Sequence, residues 1–483
     1  MKVVEIITAD HSVEKGKVEV KGIDFIPETE RNSRPLNVFF VLGGAQLCFS
    51  VMIIGGLPVV FGLGWWDSFW AITAGLLLGS LLIAPMALLG QKTGTNGPVS
   101  SGAHFGLKGR AVGAVLTVFV SLGFYALTVW TGAQSLIYSA HKLLGWPESN
   151  SILAVGAILI SVTTSIVATY GHSIIVVIEK IGAWLIGAIL VATIFVLMPE
   201  FDPGYEGGAY LLGGYWQTWL LSASLALSIP VSCATFINDY SRYIPSRTSA
   251  RSLMFGTGAG MFTGCWIGMI VAAYVTTMFA DLNVPLVQGM IELVPGWFVV
   301  PLVLVGVIGS LTQGSFALYG AGLGLESLGL GANRVIPTVA MSILGFAVVM
   351  LIVFVYDATS LINAFVTIIL VAISPWLTIN LVGYFYLRGL YNPQQLHLKD
   401  GGMYWYKSGY NLSAMLSWTV AVIIGLMFTS TTVFTGPLVQ FVGGMDISFV
   451  SSAIIAALVY YLLIRKFMDR PGSVLDGGVA ESA

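Results

Sequence analysis

Apolar runs of about 20 residues, separated by short polar stretches, recur along this chain from Asn37 to Leu463, each long enough to cross a bilayer as a helix. Twelve spans fit, at 37–63, 67–90, 111–139, 151–170, 173–198, 217–238, 252–279, 298–325, 335–356, 359–386, 411–435 and 446–465. The pattern predicts an all-α polytopic membrane protein. A charged, proline-containing tail over 1–36 is expected to be flexible, and a second tail follows at 466–483.

Several spans carry polar or helix-breaking residues that hydrocarbon disfavours. In the first, Gly43-Gly44 precedes Gln46, and Gly55-Gly56-Leu57-Pro58 follows about three turns later. Opening a helix in mid-membrane, or burying an amide there, requires protein or water nearby. A glycine-rich packing face with a satisfied glutamine is the alternative. The sixth span places Pro230 between Ser228 and Ser232. Proline removes a donor and clashes with the preceding turn, so the helix is expected to open there and expose carbonyls and hydroxyls, although serines often bond back to their own helix. Breaks in the first and sixth spans are the pairing expected of an inverted five-plus-five repeat, with spans one to five in 37–198, six to ten in 217–386, and two further spans in 411–465.

Candidate chemistry gathers at these places. Trp130 and Gln134 in the third span are four apart and share a helix face, offering a stacking ring beside an amide that reads a flat ligand's edge. An interfacial belt position for Trp130 is the alternative. Ser310, Thr312 and Gln313 form a polar patch in the eighth span. With carbonyls of the opened first span at Gly44 and Ala45, the hydroxyls of Ser310 and Thr312 would suit a sodium ion; interhelical hydrogen bonding is the simpler use. Asp239 and Arg242 end the sixth span as a structural or gating pair. Asn363, Thr367, Ser374-Pro375 and Asn380 let the tenth span bend as a gate. Glu179 and Lys180, adjacent and so on different faces, read as interfacial side chains that snorkel to water. The glycine-rich stretch 90–110 lacks the phosphate-binding pattern GxxxxGK[ST], and His104 within it reads as an exposed loop histidine.

Composition agrees with the hydropathy. Of 483 residues, 56% are hydrophobic and 9% charged, far below the roughly quarter charged in soluble domains, and mean hydropathy is +0.88. The net charge of −2 gives no sign of nucleic-acid binding. Cys48, Cys233 and Cys265 lie in apolar segments without metal-ligand spacing, which disfavours a disulfide framework or zinc site. The polar first 35 residues offer no cleavable signal peptide. With both termini cytoplasmic, every Lys and Arg except Lys142 and Lys180 falls in cytoplasmic tails or loops, which satisfies the positive-inside rule at a plasma (inner) membrane.

The segments GIDFIPETERNSRPLNVF, GLGWWDSFWAITAGLLLGSLLIAPMALLGQKTG, HFGLKGR, WTGAQ and NDYSRYIP, in this order and spacing, resemble the nucleobase:cation symporter-1 family. Its members are cytosine, purine, allantoin and hydantoin permeases, and the lead-in to the first span looks most like the purine-cytosine branch. The resemblance runs from about Gly22 to Arg470 and implies a LeuT-type fold, ten spans in two inverted repeats plus two peripheral ones, with alternating access. It implies a flat heterocycle held between spans one, three, six and eight, with Trp130 stacking on it, Gln134 hydrogen-bonding it and Gln46 as the first-span polar contact. Relatives often carry an aromatic upstream of the Asp-Tyr-Ser-Arg-Tyr motif, where this chain has Ser232 and Cys233. In the eighth span Gln313 stands where relatives are asparagine-rich. No cofactor is implied beyond Na+ or H+ as coupling ion.

The reading is a cation-coupled importer of a planar nitrogen heterocycle, a cytosine or purine-type nucleobase foremost, with allantoin or hydantoin as the alternative. An uncoupled channel or facilitator would show no uphill accumulation. A membrane-embedded enzyme would need an HExxH, paired intramembrane carboxylates or a Ser-His-Asp set, and the sequence offers none.

Overall fold

A computed structural model describes residues 19, 21–329, 335–354, 365, 369–431 and 434–467 of the chain. The first span forms two helices, α1 (Pro35–Gln46) and α2 (Phe49–Val60), bent by 62° across Leu47 and Cys48. Next come α3 (Trp65–Ile83), α4 (Met86–Thr93), α5 (Gly97–Phe105), α6 (Ala111–Leu144), α7 (Asn150–Tyr170) and α8 (His172–Leu197). The second half holds α9 (Tyr215–Cys233), the short α10 (Ile237–Ser241), α11 (Ala250–Thr276), α12 (Leu286–Leu293), α13 (Gly296–Ser327) and α14 (Val335–Phe354). A π-helical turn, Ile369–Ile373, leads into α15 (Ser374–Tyr386), followed by α16 (Leu412–Met427) and α17 (Ser448–Phe467).

Among the described residues, nine helical segments are long and apolar enough to cross a membrane, and the bent α1–α2 pair makes a tenth. The other two expected spans are α9 with α10, interrupted at Ala234–Phe236, and α16, a shorter apolar helix. Large apolar side chains such as Phe195, Trp184 and Phe255 remain exposed on the outer helices, where lipid is the complementary solvent.

The glycine pairs of the first span are contact points, not breaks. A Cβ at Gly264 of α11 would lie 2.1 Å from the Gly43 carbonyl oxygen, and one at Gly55 would lie 2.4 Å from Met269 Cα. Small residues let helix backbones approach this closely in a membrane. Pro230 likewise does not open the sixth span: α9 runs through it to Cys233. Its ring instead packs on Gly79 of α3, where a Cβ would meet it at 3.0 Å.

The segment before α1 is not a loose tail where it is described. Ile26 N–H donates to the Gly94 carbonyl at 2.9 Å, Arg31 Nη1 to that of Gln91 at 2.7 Å, and Arg242 Nη1 to that of Gly22 at 2.6 Å. The glycine-rich stretch after α3 is not an exposed loop either. It folds into α4 and α5, with Asn96 capping α5 by accepting the Val99 N–H at 3.3 Å. Its small residues let α5 wedge against the interrupted sixth span: a Cβ at Gly97 would lie 2.2 Å from the Thr235 carbonyl oxygen. His104 is accordingly fully buried, with Nε2 3.0 Å from the Tyr391 hydroxyl, and the reading of it as exposed is overturned.

On the opposite face, Lys142 Nζ donates to the carbonyls of Ile291, Glu292 and Val294 at 2.8, 2.9 and 2.5 Å, capping the end of α12 with a cation. In the tenth span Asn363 and Thr367 lie outside the described residues. Ser374 Oγ there bonds the Leu370 carbonyl at 2.5 Å and Ser452 Oγ at 2.7 Å, beside the π-helical turn, a local widening common where helices carry function.

Candidate functional site

The two interruptions meet. Gln46 is the last residue of α1 and Cys233 the last of α9, and Gln46 Nε2 lies 3.8 Å from Cys233 Sγ. Both side chains are buried, and Gln46 Oε1 has no partner. Turning the amide would only exchange which polar end is left to the weak thiol. An unmade buried hydrogen bond costs about 1–3 kcal/mol, and this amide acceptor stands unsatisfied at the junction of the two interruptions.

Around this junction α13 presents one stripe. Gly309 abuts the break, where a Cβ would lie 3.0 Å from the Leu47 carbonyl oxygen. Gln313, Phe316 and Gly320 follow at helical spacing on that face. Gln313 is buried with Oε1 unpartnered. Phe316 stacks on Tyr240 of α10, with ring centroids 5.2 Å apart, and meets Phe236 edge-on at 5.5 Å. Phe236 sits in the interruption itself, fully buried, over Gly320. Phe236 is thus an aromatic three residues after Cys233.

Trp130 and Gln134 occupy a different face of α6. Thr128, Gly132 and Ser135 pack on α2 and α13: Ser50 Oγ lies 2.9 Å from Thr128 Oγ1, and Ser310 Oγ donates to the Thr128 carbonyl at 3.1 Å. Trp130 shares its face with Gly123, seven residues earlier, which packs on Phe365 of the tenth span. Trp130 is partly buried; Gln134 is buried, with Oε1 unpartnered. Gln46 and Cys233 are therefore in contact, Gln313 lies on the stripe of α13 that carries Gly309 against the break, and Trp130 with Gln134 share the face of α6 that carries Gly123.

The serines of the sixth span bond back to their own helix, Ser228 Oγ to the Leu225 carbonyl and Ser232 Oγ to that of Ile229, each at 2.6 Å. The eighth-span hydroxyls do the same. Ser310 Oγ also donates to the Gly306 carbonyl at 2.6 Å, and Thr312 Oγ1 to that of Gly309 at 3.0 Å. The Ala45 carbonyl receives the Cys48 thiol at 3.5 Å, and Gly44 lies against Glu179, where a Cβ would be 2.6 Å from Oε2. Among the described residues no group of three His, Cys, Asp or Glu could hold a metal ion.

The structure overturns the interfacial position expected for Glu179. It is fully buried, and among the described residues neither carboxylate oxygen has a hydrogen-bond partner. A signal existed: Ile175, Glu179, Gly182 and Ile186 fall at helical spacing on the buried stripe of α8, whereas Lys180 falls off it.

Asp239 and Arg242 end the interrupted span at the face carrying the N-terminal segment. Gly97 N–H donates to Asp239 Oδ1 at 3.4 Å. Arg242 is fully buried, 3.6 Å from Glu19 Oε1, and Nη2 donates to the hydroxyls of Tyr319 at 3.1 Å and Tyr243 at 3.3 Å. Those tyrosines donate to Glu19 Oε1 in turn, and Glu19 Oε2 accepts the His172 N–H at 2.9 Å. The N-terminal segment therefore latches α8, α10 and α13 together, a role invisible in a segment read as a free tail.

The comparisons agree with this architecture. A family profile described as a permease for cytosine/purines, uracil, thiamine and allantoin matches residues 25–451. The chain is 26% identical over 462 residues to a putative purine-cytosine permease of Bacillus subtilis, YxlA, covering 94% of this chain and 97% of that one. It is 22% identical to a purine-uracil permease of Arabidopsis thaliana, over 87% of this chain and 73% of that one. Its fold is similar to that of Mhp1, a nucleobase-cation-symport-1 family transporter, in a closed conformation with bromovinylhydantoin bound. The TM-score is 0.77 at 15% identity, over 95% of this chain and all of that one. A Na+-coupled sialic acid symporter, captured substrate-bound and outward-open, shares the fold at a TM-score of 0.60 and 11% identity, over 91% of each chain. The chain has the all-helical LeuT-type fold, is a membrane transporter and not an enzyme, and belongs to the permease family for cytosine/purines, uracil, thiamine and allantoin.

Proposed function

We propose that this permease imports a planar nitrogen heterocycle, foremost a cytosine or purine-type nucleobase, by alternating access coupled to Na+ or H+. The observation that carries the reading is the meeting of two interrupted spans at Gln46 and Cys233, 3.8 Å apart, with unpartnered buried amide oxygens at Gln46, Gln134 and Gln313. Amide acceptors in this number suit a ligand edge rich in N–H donors, and the Trp130 ring suits a flat ligand. Broken helices facing each other are how secondary transporters house a substrate near the bilayer midplane. The names of the relatives, purine-cytosine and purine-uracil permeases, favour nucleobases over allantoin or hydantoins.

The distribution of Lys and Arg supports a plasma (inner) membrane protein with both termini cytoplasmic. In that orientation the Glu19–Arg242–Tyr319 latch is the inner closure, and substrate leaves inward when it parts.

A thermal-shift screen of the purified protein against nucleobases, nucleosides, hydantoins and allantoin, with and without sodium, tests the reading. A nucleobase that binds the folded state raises the melting temperature by mass action. No stabilisation by any heterocycle would remove the assignment and leave the fold.

A further inference from the structure

Resting on that reading of the chain as a coupled heterocycle importer, we propose that the coupling ion is a proton and that Glu179 carries it. Glu179 sits seven residues into α8, roughly 10 Å from the helix start by the rise per residue, too deep for its short side chain to reach water along the helix. Its carboxyl lies against Gly44, two residues before the end of α1, where a Cβ would meet both Oε2 and the Glu179 backbone oxygen at 2.6 Å. One turn along the same face, a Cβ at Gly182 would lie 2.7 Å from the Thr312 methyl carbon of α13. The group therefore occupies the junction of the broken first span, α8 and α13, which any rocking of the broken spans must part.

Among the described residues no cation is paired with this carboxyl. Cys48 at the break and Tyr240 of α10 are buried titratable groups near it, and neither is a cation. Of the other titratable and charged groups on the elements around it, Cys265 and Tyr274 lie on α11, Tyr319 and Glu326 on α13, and Tyr170 ends α7. Arg251 is exposed at the start of α11, and Lys180 projects about 100° around α8 from Glu179. His172, two turns before Glu179, is stacked on Tyr243 and lies 5.6 Å from the Tyr240 ring; Asp239 and Arg242 flank Tyr240, and Arg242 is paired with Glu19. An ionised carboxylate without hydrogen bonds at this depth is strongly disfavoured, and intramembrane carboxylates of this kind mark ion and proton pathways.

A proton fits better than sodium because the carboxyl meets no gathered set of side-chain oxygens: at this junction Thr312 presents its methyl group, and not its hydroxyl, to α8. A proton needs a single oxygen. The cycle balances simply: the carboxylate takes one proton from the outer phase, crosses as the neutral acid with substrate bound, and releases that proton inward. No other bond forms or breaks.

The test uses the full chain in proteoliposomes, with the heterocycle stabilised in the screen as labelled substrate. For one proton per substrate, a tenfold proton gradient drives at most about tenfold accumulation. The wild type should approach that ratio without sodium and should acidify a lumenal dye on substrate entry. E179Q, neutral and nearly isosteric, should continue substrate counterflow, which moves no net proton, yet fall to equilibration under the pH gradient. The infrared band of a protonated carboxyl should be present in the wild type and absent in E179Q. Unchanged pH-driven accumulation in E179Q, or accumulation in the wild type driven by sodium and indifferent to pH, would overturn the proposal. If E179Q does not fold, E179D, which keeps a titratable carboxyl one methylene shorter, should shift the pH midpoint of accumulation, and an unshifted midpoint would overturn the assignment to Glu179. Absence of counterflow in the wild type would instead sink the transport reading itself.

Discussion

The closest backbone approach at the broken span gives a prediction with an internal control. At Gly264 of α11, an added Cβ would sit 2.1 Å from the Gly43 carbonyl oxygen and 2.7 Å from Gly43 Cα. The obstruction is backbone, which no rotamer change relieves. Helix α1 would have to retreat by about 0.9 Å to restore a 3.0 Å contact, itself the lower limit for real Cβ atoms. Gly260, one turn earlier, packs as tightly on Phe39. Overpacking of this sort costs about 1–3 kcal/mol, and here it acts on the helix that carries Gln46. Gly187→Ala is the matched control, because its Cβ would meet only Leu47 Cδ1, at 3.8 Å. Apparent melting temperatures of the two detergent-purified variants at one scan rate should separate by several degrees, with Gly264→Ala the lower. Heterocycle affinity should fall in Gly264→Ala alone. Equal melting temperatures would refute the claim that the first-span glycines exist for close packing, and would return them to the role of hinges.

Three further outcomes follow from the site. Trp130→Ala should weaken heterocycle binding by about 1–3 kcal/mol, the usual worth of a base on an aromatic face, and unchanged affinity by calorimetry would remove Trp130 from the site. Gln134→Leu should reorder affinities across a ligand panel, since the loss depends on which ligands bond that amide, whereas a uniform loss would make Gln134 a structural residue. Arg242→Gln should strand Glu19 without its guanidinium and speed hydrogen exchange across 21–34 while α7 stays protected; Arg242→Lys, which keeps charge but not the fork, should fall between, and unchanged exchange in both would dissolve the latch.

Much of this architecture was legible because a bilayer leaves few options for an apolar run of span length, and because Gln46, Trp130 and Gln134 stand out against hydrocarbon. That two spans would be broken was also legible; the positions were not. Glycine and proline mark both helix breaks and close helix contacts, and only the neighbouring helix decides which. Gly43, Gly44 and Gly55 serve contacts with α11 and α8, Pro230 serves Gly79, and the chain opens instead at Leu47-Cys48 and Ala234–Phe236, which carry no breaker residue. The small residues that made 90–110 read as a loop are what let α5 bury His104. Glu179 was misplaced because its neighbour Lys180 suggested an interface, although the helical stripe through Ile175, Gly182 and Ile186 placed it inside. Phe236 gives no signal of its own in the sequence, where it is one apolar residue among many near the end of the sixth span.

The central claim, that paired broken spans receive a flat heterocycle and move it uphill, is tested most directly by its accumulation ratio in proteoliposomes under imposed proton and sodium gradients. The account predicts a ratio above unity that competing nucleobases suppress and that collapses to unity when an ionophore dissipates the gradient. Uptake that never exceeds equilibrium under any gradient would contradict it and make the protein a facilitator.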